Sequence, residues 1–360
     1  MNKTSLIGLA TCAAAALLPD NSYAQGTVTL QGMIDGGVTY VNNEHGGSAT
    51  LFDSGIFAPN VLTLTGTENL GGGARAVFNL TSQFDLGSGA TIPGAGQIFN
   101  RTAFVGLSDE RLGTLTLGNQ YDFMFDTLTL GLFDGAFLFG RLYDFRQGFS
   151  ALGVPQNPTG SFDFDRLAGA TRVANSLKYR SPSFARFSFG ALYGFGGVAG
   201  SFSADSTVSA GVNYDSGPLG VGVAYIEAKY PELGNGHDGI RNFGAGAHYR
   251  FGNVLAMLLY RNTKNMESGA RIDVYKAGAF WTISGAWLAG LDYQYMKGNE
   301  VLENNKAHQV ATAVQYHFSK RTMAYVGRSI SVPVVMPRQP MHGSMGCFSP
   351  MPRQATAPRQ

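Results

Sequence analysis

The side chains with the most chemical potential crowd into one stretch, residues 121–172. It holds six aspartates, Asp122, Asp126, Asp134, Asp144, Asp163 and Asp165, among arginines, phenylalanines and leucines. A connection beyond about 15 residues is uncommon in a compact domain unless it is functional or disordered. This one is too apolar to be a disordered linker. Its apolar residues need a surface to pack on, and its acids need a wet space to face. Elsewhere no catalytic spacing stands out. His45, His237, His248, His308 and His317 lack ligand spacing, so no metal is expected. Gly71-Gly72-Gly73 lies between two strand-like segments, not before a helix, and reads as a turn, not a phosphate cradle. No nucleophile elbow or Ser/His/Asp ordering is present, and no cofactor is expected.

The elements that must position those acids are strands. Thr27–Val41 places Val28, Leu30, Ile34, Val38 and Tyr40 on one face and Thr27, Thr29, Gln31, Asp35 and Thr39 on the other. Period-two alternation of this length means a strand with one apolar and one polar face. The pattern returns on both sides of the long stretch. Leu177 and Tyr179 alternate with Ser176, Lys178 and Arg180; Phe243, Ala245, Ala247 and Tyr249 alternate with Asn242, His248 and Arg250; Leu291, Tyr293 and Tyr295 alternate with Asp292 and Gln294. About fifteen such strands lie between Thr27 and Arg328, against the even number expected of a single-chain bacterial barrel. Short Gly, Pro, Ser or Asp turns alternate with longer polar connections such as 229–239, 262–270 and 298–307. Many strands end in Tyr, Phe or Trp, as aromatic girdles at two membrane interfaces would require. Gly244, Gly246, Gly278 and Gly290 suit a sheet that bends to close.

Composition places the chain outside the cytosol. Lys3, the apolar run Leu6–Leu18 and Ser22-Tyr23-Ala24 make a secretory signal peptide over residues 1–24, with the mature chain starting at Gln25. A lipoprotein signal at Cys12 fits poorly, because Thr11 stands where a small Gly or Ala is wanted. Cys347 is the other cysteine, so a mature disulfide is excluded. Mean hydropathy is −0.02 and 14% of residues are charged, yet no later apolar run is long enough for a spanning helix. The net charge of +2 comes from the ends: Arg338, Arg353 and Arg359 lie in the last segment and Lys3 and Asp20 in the leader. Without them the chain is close to neutral, which argues against a nucleic-acid partner. The expected architecture is all-β, a transmembrane antiparallel β-barrel over residues 25–328. The 121–172 segment is expected to fold into its mouth and narrow it. Residues 329–360 carry Pro333, Pro337, Pro340, Pro350, Pro352 and Pro358 and read as a non-barrel tail in place of the last strand.

Taken in order, VTLQGMIDGGVTY, LTGTENLGGGARAVFNLTSQF, FNRTAFVGLSDERLGTLTLGNQYD, RVANSLKYRSPSFARFSFGALYGFG and HQVATAVQYHFSKRT resemble the trimeric general porins of Gram-negative bacteria, of the β-proteobacterial type. The resemblance runs from Gln25 to about Arg328. It implies nominally sixteen strands, a homotrimer in outer-membrane lipid, and passive diffusion of ions and small hydrophilic solutes. It also implies that the third loop, here Tyr121–Arg172, forms the constriction. Asp122, Asp126, Asp134 and Asp144 would then face Arg75, Lys178 and Arg180 on the wall. Opposed charges across a narrow wet lumen set ion preference. Two departures stand out. Asn119 occupies a position where similar chains often carry Arg, and the chain closes on Gln360 instead of a strand with a terminal aromatic. Residues 329–360 are therefore expected to leave an unsealed sheet edge, which hydrocarbon does not tolerate. A solute-specific channel is the alternative, with Phe133, Phe137, Phe139 and Tyr143 as an aromatic slide. An enzyme on a barrel would need a Ser and a His together on the lipid-facing wall. The apolar faces carry no such pair, so enzymatic activity is not expected.

Overall fold

The computed structural model describes residues 26–44, 46–92, 96–131 and 144–334. The leader, Cys12, His45, Asp134, the aromatic series Phe133, Phe137, Phe139 and Tyr143, Cys347 and the chain beyond Val334 lie outside the described residues. The strands are β1 (Thr27–Met33), β2 (Gly36–Glu44), β3 (Gly47–Ser54), β4 (Val61–Gly71), β5 (Ala74–Gln83), β6 (Thr102–Asp109), β7 (Gly113–Gln120), β8 (Val173–Arg180) and β9 (Phe187–Gly194). They continue with β10 (Thr207–Asp215), β11 (Leu219–Lys229), β12 (Gly239–Phe251), β13 (Val254–Asn265), β14 (Arg271–Thr282), β15 (Trp287–Gly298), β16 (Lys306–His317) and β17 (Met323–Val334).

Fifteen of them form one antiparallel sheet in the order β1, β4, then β5 to β17 without a crossover. The remaining pair, β2 and β3, extends the first hairpin, since only Ile34 and Asp35 separate β1 from β2. Asp35 makes that bend. Its Oδ2 accepts the backbone N–H groups of Phe57 (2.6 Å) and Ala58 (3.2 Å), and its carbonyl accepts Gly55 N–H at 2.9 Å. The opposite end of the sheet comes round to the same residue. The Tyr325 hydroxyl at the start of β17 donates to Asp35 Oδ1 at 2.6 Å, and the Tyr325 and Phe57 rings lie 5.5 Å apart.

Turn chemistry follows the sequence. Asp109 Oδ1 accepts the N–H groups of Arg111 and Leu112 and closes the β6–β7 turn, and Asp215 Oδ1 does the same for Gly217. These connections lie at one end of the sheet, and the longer ones lie at the other.

The burial pattern is inverted relative to a water-soluble protein. Val28 (69% exposed), Leu30, Leu258 and Val326 (77%) point outward with dozens of other large apolar side chains. Gln294 (0%), Arg261 (1%), Asn242 and Asp292 are buried on the inner side. An outward apolar band around a polar interior is the pattern of a membrane-spanning barrel. Aromatic rows bound the band. At the short-turn end the Trp287 and Tyr316 rings lie 4.7 Å apart. At the loop end Tyr275 lies 5.1 Å from Tyr260 and 6.3 Å from Tyr295. From Trp287 to Tyr295 along β15 the rise is roughly 26 Å at about 3.3 Å per residue, which at a strand tilt of about 40° spans roughly 20 Å along the membrane normal, most of an apolar band about 25 Å tall. The chain is thus an all-β transmembrane barrel, with the fifteen strands expected.

One boundary differs. β17 runs to Val334, six residues into the segment read as tail, with Ile330 opposite Val310 and Ser331 opposite Gln309. Ser331 Oγ donates to Gln309 Oε1 at 2.9 Å. Pro333 is tolerated because it sits next to the end of a strand at the sheet's margin, where its missing N–H breaks little. β1 and β17 run in the same direction, so only an intervening antiparallel strand could seal them in this pattern; the residues after Val334 lie outside the described ones.

Candidate functional site

The long loop lies on the inner wall. Its first part, Met124–Gly131, is a wide helix of the π type. Asp122 starts it: its Oδ1 accepts the Met124 N–H at 2.8 Å, satisfying a donor that no helical carbonyl reaches. Phe123, Met124 and Leu128 are buried against Leu192, Ile226, Leu255, Met257 and Leu259 from the wall. That explains β13. VLAMLLY is apolar on both faces because lipid covers one and the loop covers the other.

The helix needs a groove, and the wall supplies one. Gly190 of β9 is in register with Gly211 of β10, Gly211 with Ala224 of β11, and Ala224 with Gly244 of β12. A Cβ on Gly190 would lie 2.2 Å from the Phe123 ring. On Gly211 it would lie 2.4 Å from Thr127 Oγ1 and 2.9 Å from Phe123 Cβ, and on Gly244 2.3 Å from Leu128 Cδ1. Four small residues across four strands thus clear a channel roughly 14 Å long, three strand spacings of about 4.8 Å. Gly244, singled out in the sequence for sheet curvature, also gives Leu128 room for this close approach.

Cations flank the groove. Arg180 of β8 is in register with Gly190, and Arg261 of β13 with Gly244. At the first end, Asp126 Oδ2 on the helix accepts Lys178 Nζ at 2.5 Å and lies 3.5 Å from Arg180 Nη1. Asp122 Oδ2 accepts Arg166 Nε at 2.6 Å, a buried pair that ties the two ends of the loop together. At the far end Arg261 is held by Asp144, by Asp165 at 2.6 Å and by Gln294 at 2.9 Å. Gln294 in turn donates to Asp292, which pairs with Lys276 at 2.9 Å. Asp163 accepts the N–H groups of Ala168 (2.8 Å) and Ala170 (2.7 Å), yet burial pushes its carboxyl up to about 6. Burial likewise lifts Asp165, with the neighbouring Asp144 charge adding to the effect.

Of the residues singled out in the sequence, Asp122, Asp126, Asp144, Lys178 and Arg180 do come together at the loop. Most meet as contact pairs that fasten it, not as charges opposed across an open space. Lys178 is buried beneath the helix, while the Arg180 side chain remains 60% exposed. Arg75 is elsewhere: it pairs with exposed Glu110 at 2.6 Å beside the β4–β5 turn, because its inward parity says nothing about its height on the strand. Asp134 lies outside the described residues. The sequence reading missed Arg261, Lys276, Gln294, Asp292 and Arg166. The inward parity of the four on strands was visible, but their partners lie in other elements and follow only from register; Arg166 lies in the loop, where no periodicity marks it.

Two further cations stand where the loop leaves the wall. Arg101 and Arg172 hold their guanidinium carbons 5.4 and 5.9 Å from the Tyr121 ring centroid. Arg101 donates to Gln83 Oε1, and Arg172 to the carbonyls of Ala170 (2.8 Å), Gly169 (3.1 Å) and Asn100 (2.5 Å). Burial raises the Tyr121 hydroxyl above its ordinary value, and burial lowers Arg172, with Arg101 adding to that. Among the described residues neither arginine has a carboxylate within ion-pair distance.

An inverted barrel with a loop strapped inside it has close counterparts. Residues 6–328 match the family described as Gram-negative porin. The chain belongs to that family. It is 30% identical over 333 residues to outer membrane porin protein 32 of Delftia acidovorans, covering 90% of this chain and 88% of the relative. It is 28% identical over 284 residues to an outer membrane porin protein of Bordetella pertussis, covering 70% and 69%. The solved anion-selective porin from Comamonas acidovorans superposes with a TM-score of 0.70 at 24% identity, covering 86% of this chain and 90% of that one. The porin forms a water-filled channel in the outer membrane for passive diffusion of ions and small hydrophilic solutes. The inward loop of this porin packs against its inner wall.

Proposed function

We propose that this porin is a general diffusion pore with a preference for small anions, working as a homotrimer. The observation that carries the preference is an asymmetry of pairing. The described loop acids Asp122, Asp126, Asp144 and Asp165 are buried against cations, so their charge is spent locally. Arg101 and Arg172 have no acid partner among the described residues, and exposed Arg180 shares Asp126 with Lys178. A low-dielectric wall focuses such uncompensated positive charge into the water beside it. The Comamonas relative is itself described as anion-selective, which agrees with this reading. The trimer is the assembly implied by the general-porin resemblance, and one of the solved relatives, from Vibrio cholerae, is described in trimer form.

The test is the reversal potential in a planar bilayer under a tenfold KCl gradient. Wild type should favour chloride. The double variant Arg101→Gln, Arg172→Gln should lose most of that preference at nearly unchanged conductance. A cation-selective wild type, or a variant with an unaltered reversal potential, removes the proposal. Heat-modifiable gel mobility of protein extracted from outer membranes reads the trimer: a single unboiled band at monomer size contradicts it.

A further inference from the structure

We infer that one inward row across β1, β4, β5 and β6 is a weak docking site for uncharged sugars, a solute class within the diffusion-pore reading on which this inference rests. Parity and register assemble the row. Val28 and Leu30 on β1, Leu62 on β4 and Val105 on β6 point outward, so Thr29, Thr65 and Phe104 point inward. Asn79 of β5 shares their face, because Thr102, two residues before Phe104, donates to its Oδ1 at 2.6 Å. Thr29 lies opposite Thr65, Thr65 opposite Asn79, and Asn79 opposite Phe104. Four side chains thus stand in line over roughly 14 Å, three strand spacings of about 4.8 Å.

The rows on either side bond within themselves, and this one does not. Toward the turns, the Thr27 and Thr67 hydroxyls lie 2.9 Å apart; toward the loops, those of Thr63 and Thr81 lie 3.0 Å apart. Between them, Thr29 and Thr65 have no side-chain hydrogen bond among the described residues. Asn79 is held in one orientation. Thr81 (2.9 Å) and Thr102 (2.6 Å) both donate to its Oδ1, so the amide presents its Nδ2 as an unused donor. The row therefore offers two hydroxyls, each both donor and acceptor, one aimed amide donor and one aromatic ring. The loop leaves it open: Thr29 is exposed and Thr65, Asn79 and Phe104 are half-buried, whereas the wall of β9–β13 is buried beneath the loop helix.

The chemistry selects a neutral ligand. On the inner faces of β1, β4 and β5 the one charged residue is Arg75, near the turns and already paired with Glu110. An anion gains little here, and a lone ion has no use for an aromatic ring. A pyranose has hydroxyls around its rim and C–H groups on its faces, so it engages the polar row and the Phe104 ring together; aromatic surface with a few placed polar groups is how small-molecule sites fix orientation. Neutral hydrogen bonds are individually modest, so the solute enters and still leaves, as conduction requires. The row also lies on the route. Arg101 donates to Gln83, four residues from Asn79 toward the loops on β5, about 13 Å at roughly 3.3 Å per residue. A solute entering from the loop end meets that arginine first and this row next.

The experiment uses proteoliposomes of full-length protein, with heat-modifiable mobility verifying that each variant is folded. Influx of D-glucose is compared with that of tetraethylene glycol, a neutral solute of similar mass with hydroxyls only at its ends. The variant Thr29→Val, Thr65→Val, Asn79→Leu keeps the shape of the row and removes its polar groups. Its glucose-to-glycol influx ratio should fall about fivefold, the contribution of one net hydrogen bond. Phe104→Leu keeps the polar groups and should lower the ratio as well. The chloride preference depends on Arg101 and Arg172, which both variants retain, so the reversal potential reads the pore separately. An unchanged ratio in both folded variants overturns the inference, including the case in which both probes slow together. Absence of ion conductance from folded wild type would defeat the pore reading and this one with it; an unchanged ratio at normal conductance defeats this one alone.

Discussion

Replacing Gly211 with Val should lift the loop helix off the wall. The backbone at Gly211 is ordinary strand, so a β-branched residue suits it locally. The obstacle is above it. A Cβ there would lie 2.9 Å from Phe123 Cβ and 2.4 Å from Thr127 Oγ1. The Thr127 hydroxyl can rotate away. Phe123 Cβ cannot, because it is fixed to the backbone. Carbon atoms at ease sit about 3.5–4.0 Å apart, so Cβ alone asks for a retreat of nearly 1 Å, and the Val methyl groups bring that to about 2 Å. A lift of that size takes Asp126 away from Lys178, now 2.5 Å distant, and leaves a buried ammonium without its acid. Overpacking costs about 1–3 kcal/mol, and a broken buried pair about 3–5 kcal/mol, so the helix should shift as a unit and settle nearer the lumen axis. Single-channel recordings should show lower conductance and more open-channel noise, with a lower unfolding temperature. The double variant Gly211→Val, Phe123→Ala should recover only part of the conductance, because it removes the ring carbon 3.0 Å from the new Cβ but keeps Phe123 Cβ. If Gly211→Val gives wild-type conductance, noise and unfolding temperature, the helix does not rest on this part of the wall and the reasoning from the glycine row is wrong.

Arg261→Gln should leave Asp144 and Asp165 buried without their cation, a loss of about 3–5 kcal/mol, and should expose the loop to limited proteolysis that wild type resists. Asp163 predicts a pH effect. Its folded value of about 6 exceeds its ordinary 3.8, so the folded loop holds a proton that the unfolded chain has released between those values. The resulting contribution is about 3 kcal/mol, at roughly 1.36 kcal/mol for each pH unit between the two values. It is complete only below 3.8, declines as pH rises between the two values and is lost above about 6. The unfolding temperature should therefore fall between about pH 4 and pH 6, and Asp163→Asn should flatten that fall; an equally steep fall in the variant would exclude the residue. Arg75→Gln should leave ion selectivity untouched and cost under about 1 kcal/mol, since its pair with Glu110 is exposed and at the wrong end of the barrel; a shifted reversal potential would show otherwise.

Period-two alternation carried most of the architecture, because in a barrel the face a residue takes is decided by parity alone. Val28, Leu30 and Ile34 point outward as their spacing requires. Height and neighbours are another matter. Arg75 and Lys178 both have inward parity, yet one sits at the turn end and the other beneath the loop. The glycine row was invisible for the same reason. Gly190, Gly211 and Gly244 are unremarkable in their own strands and become a groove only when three ladders align them. The end of β17 was misread because its prolines outweighed the alternation of Ile330, Ser331 and Val332. The readable trace of the loop's resting place was the doubly apolar VLAMLLY of β13, where a strand greasy on both sides implies something covering each.

The hydrogen bond from Tyr325 to Asp35 joins residues 290 positions apart. Its two partners leave the ribosome 290 residues apart, and both must cross the periplasm before they can meet. No fragment that stops short of Tyr325 can make this seam, so the first hairpin has to wait, unpaired on one flank, for the fifteenth strand of the sheet to arrive. Closing so long a loop before any contact rewards it makes for slow assembly, and the waiting flank is where a holding chaperone would have the most to protect.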